Sequence, residues 1–164
     1  MSANIFESLD KHFATRTPME ILVGLNAIEV IESNAFECAR CKEVLSKLLK
    51  CLEELKESFT KKGTIDNSWT QQWRFADEEF HRWLAVFSRQ GTTEKKLADL
   101  FTEDGSPFEH TKYMTVEECC EVIEEHRRIL IAILDRDKLR TSKAICDHLQ
   151  KAKQRRYGSM GAGW

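Results

Sequence analysis

Apolar residues recur at steps of three and four along almost the whole chain, a spacing that lines one face of an α-helix and does not suit a strand. Two prolines and seven glycines in 164 residues are also too few to supply the turns of an all-β fold. The sequence therefore predicts an all-α fold, an antiparallel bundle of about six to seven helices. One domain is expected over residues 1–157, with a loose tail over residues 158–164, where glycines and small residues have little to bury. A short helix is read over Ile5 to Ala14. Thr17, Pro18 and Glu20 then resemble an N-cap, first turn and capping box for a second helix that carries Ile21, Leu25, Ile28 and Glu32. A third spans Glu37 to Lys61, with Val44, Leu48, Leu52, Leu55 and Phe59 along one stripe. Asn67 or Ser68 caps a fourth, marked by Trp73, Phe80, Leu84 and Phe87. Glu94 to Phe101 reads as a short helix before the break at Glu103 to Pro107. Thr115 and Asp137 open the last two helices, the final one ending at Gly158.

Charge and cysteine usage narrow the function classes. A net charge of -2 gives nothing global to attract nucleic acid or an anionic membrane. Cations do gather at Lys151, Lys153, Arg155 and Arg156, but they sit near a helix C-terminus, where the helix dipole already favours them, and read as solvated. The longest apolar run, Ile129 to Leu134, is far too short to span a bilayer, and the first residues lack the pattern of a secretory signal. A cytoplasmic protein without a membrane partner is expected. Cys38, Cys41, Cys51, Cys119, Cys120 and Cys146 then read as reduced thiols. The lone C-x-x-C of Cys38 and Cys41 has no second pair at zinc-ribbon spacing.

Polar residues stand where the core should be. Trp73, Asp77, Phe80, Leu84 and Phe87 follow steps of four, three, four and three, which puts a carboxylate on the apolar stripe with His81 one turn on. The next long helix has His126 in the middle of the stripe Cys119, Ile123, Leu130 and Ile133. In the last, His148 lies beside Ile145, Leu149 and Ala152. An isolated buried carboxylate costs several kcal/mol unless it is paired or bound to a metal. Neutral imidazoles are good ligands for first-row divalent ions. Each of these residues alone is as well explained by an ordinary hydrogen bond. Together they can converge only if the helices pack around one point, as in bundle metal sites. His12 and His110 fit no stripe and read as exposed.

The same residues carry a resemblance. Asp77-Glu-Glu-Phe-His81, then Glu124-Glu-His126 with Arg136-Asp137, then His148-Leu149 resemble the FCD domain, the C-terminal effector-binding half of GntR-type transcription regulators. The likeness covers about residues 21–149. It implies that Asp77, His81, His126 and His148 hold one divalent metal ion. Zinc is the first choice, being abundant and suited to histidine, with nickel, manganese or iron as alternatives. It also implies a homodimer and a small organic acid effector bound at the positions the protein ligands leave open. Where the family often carries Glu-x-Arg on its second helix this chain has Val23 and Leu25, and Arg89-Gln90-Gly91 replaces the usual Gly-Asn-Pro turn. The DNA-binding winged helix domain of such regulators is absent from these 164 residues, so no specific DNA binding by this chain alone is expected.

The function expected is a metal-dependent sensing domain and not an enzyme. A metalloenzyme would need a base or charge-stabilising group beside the open position, and the sequence nominates none, although Glu125 and Arg127 flank His126. A metal-stabilised dimerisation module is the other alternative, and it would show a closed coordination sphere.

Overall fold

The structure, a computed structural model, describes residues 2–33, 35–62, 77, 80–84 and 115–161. Every element among them is helical, in keeping with the all-α expectation. Helix α1 spans Ser2–Ser33, α2 Ala35–Lys62, α3 Val116–Leu134 and α4 Lys138–Gly161. Asp77 and residues 80–84 are also helical. The expected cap at Asn67 or Ser68, the stripe residues Trp73 and Phe87, the short helix at 94–101, the break at 103–107, Arg89-Gln90-Gly91 and His110 lie outside the described residues. So do the side chains of Cys41, Val44, Leu48, Cys51 and Phe59.

One helix boundary differs from the sequence reading. The sequence reading has two helices, over residues 5–14 and 18–34 with a cap at Thr17, but α1 runs through both, with Pro18 inside it. Thr17 Oγ1 donates backward to the Phe13 carbonyl at 2.8 Å instead of capping a following turn. The cause is a continuous buried face. Leu9, Phe13, Arg16, Glu20, Val23, Ala27 and Ile31 are all buried at helical spacing, while Pro18 points to solvent. Burial along that face outweighs the roughly 3 kcal/mol that an interior proline costs a helix.

Helix α3 begins as expected. Glu118 N–H donates to Thr115 Oγ1 at 3.2 Å, and the Thr115 N–H donates to Glu118 Oε2 at 2.8 Å, a reciprocal capping box. Its other end is a Schellman turn. Arg136 N–H reaches the Ile133 carbonyl and Asp137 N–H the Ala132 carbonyl, both at 3.0 Å. Arg136 takes the left-handed position usually given to glycine, with φ 59°. Asp137 then caps α4 by accepting from Arg140 N–H at 2.9 Å. Arg136-Asp137 is thus the hinge that turns α3 back on α4 as an antiparallel hairpin. Helix α4 continues to Gly161, past the end read at Gly158.

Helix α1 packs on α4, α3 on both α4 and α2, and α2 also on α1. The core gathers Val23, Ala27 and Ile28 of α1, Leu52 and Leu55 of α2, Phe80 and Leu84, Ile123, Ile129, Leu130 and Ile133 of α3, and Ile145 and Leu149 of α4. Gly24 sets how closely α1 approaches α4: a Cβ there would lie 2.6 Å from Ile145 Cδ1 and 3.1 Å from Thr141 Cγ2. Farther along the same contact, Tyr157 and Lys153 of α4 both meet Asp10.

Candidate metal centre

Three histidines from separate helices meet in the core. His81, His126 and His148 are each at most 3% exposed, and each offers a ring nitrogen such that the three lie within 4.8 Å of one another. His126 is the centre of the group. Phe80 stacks on its face at a centroid distance of 3.9 Å, and the His148 and His81 rings stand 4.6 and 5.3 Å away. Asp77 closes one side, with Oδ1 3.4 Å from His126 Nε2 and 4.0 Å from His81 Nε2. Its side chain is 26% exposed, so the carboxylate lies between the cluster and solvent.

Two buried carboxylates back the histidines, and sequence reasoning missed both. Glu20 Oε2 of α1 stands 3.0 Å from His81 Nδ1, and Glu20 Oε1 pairs with Arg16 Nε one turn earlier. Arg16 Nη2 also lies 3.2 Å from His81 Nε2. Glu125 of α3 meets His148 Nδ1 at 2.9 Å and takes a forked contact from Arg155, at 3.1 and 2.8 Å. Lys151 adds a longer contact to Glu125 at 3.4 Å. Arg155 therefore departs from the solvated cluster expected at the end of α4. The signal was present in the spacing: Arg16, Glu20 and Val23 share a face of α1, and Val122, Glu125 and Ile129 share one of α3. His12, read as exposed, is also buried, edge-on to Phe13, because the unbroken α1 brings it onto the inward side.

The electrostatics suit neutral imidazoles among paired ions. Burial holds His126 well below the usual histidine range, helped by the positive character of His148, His81 and Arg16 around it. Burial lowers His148 too, against the opposing pull of its bond to Glu125. Burial alone would raise both glutamates. Arg16 and His81 outweigh it at Glu20, which sits well below the usual carboxylate range. The bonds from His148 and Arg155 outweigh it at Glu125, which drops to about 2.

The donor set fits a divalent transition ion. Ligand atoms around a tetrahedral zinc stand about 3.4 Å apart, given metal–nitrogen bonds of about 2.1 Å. The Asp77 Oδ1 to His126 Nε2 separation of 3.4 Å matches that spacing, and histidine nitrogens up to 4.8 Å apart would need to close by at most about 1.4 Å. Three imidazoles and a carboxylate also favour zinc or nickel over the all-oxygen shells of magnesium or calcium. Of the four residues expected from the sequence, the three histidines meet, and Asp77 stands beside two of them.

The other expectations resolve around this cluster. Val23 is buried in the core, and Leu25 is partly buried. Cys38, Cys119, Cys120 and Cys146 are free thiols, and burial pushes Cys119 up to about 12. No helix among the described residues is long and apolar enough to cross a membrane.

Comparison with known proteins agrees with this architecture. No curated protein sequence matches the chain. Among solved structures, E. coli McbR/YncC is similar in fold, with a TM-score of 0.73 at 18% identity. The match covers 94% of this chain and 66% of that one, so the chain spans just under two thirds of that protein's length. The family model of the FCD domain matches residues 25–151, from the buried face of α1 to the turn after His148. The chain belongs to the FCD domain family, the effector-sensing domains of GntR-type transcription regulators.

Proposed function

We propose that this chain is a metal-dependent sensing domain in which Asp77, His81, His126 and His148 hold one divalent ion, zinc in the first instance. A small organic acid would bind at the coordination positions left open. The observation that carries this reading is the convergence of three buried histidines on one point with the Asp77 carboxylate 3.4 Å from the central ring. The charge balance supports an acidic effector. Glu20 is offset by Arg16 and Glu125 by Arg155, while burial favours the neutral form of His126 and His148. A divalent ion set against Asp77 alone leaves one positive charge in a low-dielectric site, which an anionic donor can neutralise.

In a full regulator, effector binding would shift a homodimer between states and so change how a winged helix domain holds its operator. The domain would act in the cytoplasm, with DNA contacts supplied outside these residues. Elemental analysis of the purified protein, with mass spectrometry of the small molecules that accompany it, tests the reading. One divalent ion per chain, lost when Asp77 and His126 are both replaced by alanine, is the expected result. A metal content untouched by that double substitution would overturn it.

A further inference from the structure

Two of the three histidines turn Nδ1 toward a carboxylate, each on a different helix. His81 Nδ1 meets Glu20 Oε2 at 3.0 Å, and His148 Nδ1 meets Glu125 Oε2 at 2.9 Å. His148 Nδ1 is hydrogen-bonded to Glu125, and an ionised carboxylate only accepts, so that nitrogen must carry the proton. At His81 the charge contact with Glu20 is not a hydrogen bond, and the tautomer follows from Arg16 instead. A guanidinium only donates, and Arg16 Nη2 lies 3.2 Å from His81 Nε2, so that nitrogen must hold a lone pair.

We propose that Glu20, by its charge, and Glu125, by its hydrogen bond, are positioning residues that hold His81 and His148 in the Nδ1–H tautomer, so that both present Nε2 as the ligand atom. This rests on the metal site proposed above. Each glutamate is in turn fixed by an arginine. Arg16 holds Glu20 from the preceding turn of α1, and Arg155 holds Glu125 with a two-pronged contact from α4. Such a carboxylate behind a metal-bound imidazole orients the ring and raises its basicity. The arrangement also makes Arg16 a competitor. The ion must take the His81 lone pair on which an Arg16 N–H now rests, and Glu20 keeps that arginine paired when it yields.

The tautomers can be read without any metal. Long-range proton–nitrogen correlation spectra of the metal-free protein with ¹⁵N-histidine should show His81 and His148 protonated at Nδ1. An Nε2–H signal for either one overturns the proposal for that residue, whether or not the protein binds an ion. Zinc affinity, measured by competition with a chelator, is the second readout. Glu125→Ala should weaken binding about 10- to 100-fold. Glu125→Gln, which keeps an acceptor oxygen for the Nδ1–H, should recover most of the loss. If Glu125→Ala does not fold because Arg155 loses its partner, the same comparison is made with Glu20→Gln and Glu125→Gln, which should both bind zinc measurably and keep the Nδ1–H signals. Glutamate variants that bind zinc as tightly as the unsubstituted protein would show that neither carboxylate positions a ligand. Absence of any zinc binding by the unsubstituted protein would instead remove the metal reading and leave the tautomer assignment standing on its own spectra.

Discussion

Gly24→Ala tests the packing that brings α1, with Glu20, against α4, with His148. The new Cβ would sit 2.6 Å from Ile145 Cδ1 and 3.1 Å from Thr141 Cγ2, and both neighbours are fully buried. The first distance is shorter than real side-chain contacts, so Ile145 must change rotamer or α1 must move away. Overpacking of this kind costs about 1–3 kcal/mol. Alanine returns about 1 kcal/mol by its better helix propensity. The net expectation is a loss of about 1 kcal/mol, which for a domain of this size lowers Tm by about 2–4 °C. Urea denaturation of the metal-free protein measures it. A double-mutant cycle with Ile145→Val assigns the cause, since that change removes the clashing Cδ1. Alone, Ile145→Val should cost about 0.5–1.5 kcal/mol. In the Gly24→Ala background it should cost less or stabilise. A Gly24→Ala protein more stable than the parent, or an Ile145→Val cost identical in both backgrounds, would refute the close-approach argument.

Three further outcomes are expected. His126→Ala should lower metal content and stability together, the latter by about 2 kcal/mol or more, since a fully buried ring stacked on Phe80 is lost; calorimetry paired with elemental analysis checks it, and unchanged stoichiometry counts against the site. The metal-free protein should weaken on acidification. Burial depresses His126 and His148 in the folded state, so the unfolded chain takes up protons first, at the ordinary value of 6.5. Their contribution is whole above that pH and is lost progressively below it; urea midpoints that stay flat or rise from about pH 8 to about pH 5 would contradict the sign. Duplex DNA should bind weakly, without sequence preference, and release as salt rises, because Arg155 is turned inward and Lys153 meets Asp10; a gel shift showing tight, sequence-dependent binding would contradict this.

The proposed metal ligands were legible because each breaks a strong pattern. A histidine at the centre of Cys119, Ile123, Leu130 and Ile133 is conspicuous, and so is an aspartate one turn before His81 on a stripe of aromatics. Glu20 was hidden by a competing local explanation, since Thr17, Pro18 and Glu20 satisfy every rule for a helix start. Tertiary burial overrode it. Once α1 is continuous, His12, Arg16 and Glu20 fall on the same inward face as Leu9 and Val23. Glu125 was obscured differently, being next in sequence to His126 and so attributed to its flank. Residues i and i+1 do diverge by about 100° around a helix. A buried face as broad as that of α3 nevertheless takes both of them. Local pattern gave the helices, but no pattern within one helix reports that Arg155 closes on Glu125 across two.

The Schellman turn at Arg136 has a consequence for the order in which the site is assembled. Closing a chain loop costs entropy that grows with its length, and contacts between near neighbours in sequence form soonest. The His148–Glu125 bond spans 23 residues and the Arg155–Glu125 pair 30, whereas Arg16 and His81 are 65 apart. Half of the proposed ligand set, with its supporting ions, therefore belongs to one hairpin that can close early. The other half waits for a long-range docking of α1 and the helix of Asp77 and His81. In the metal-free protein, amide exchange should protect α3 and α4 more than residues 80–84, and the ion should narrow that difference. On the proposed function, the metal would serve as a fastener between an early-formed hairpin and late-arriving partners, and the helices whose attachment depends on the ion would be the ones an effector moves.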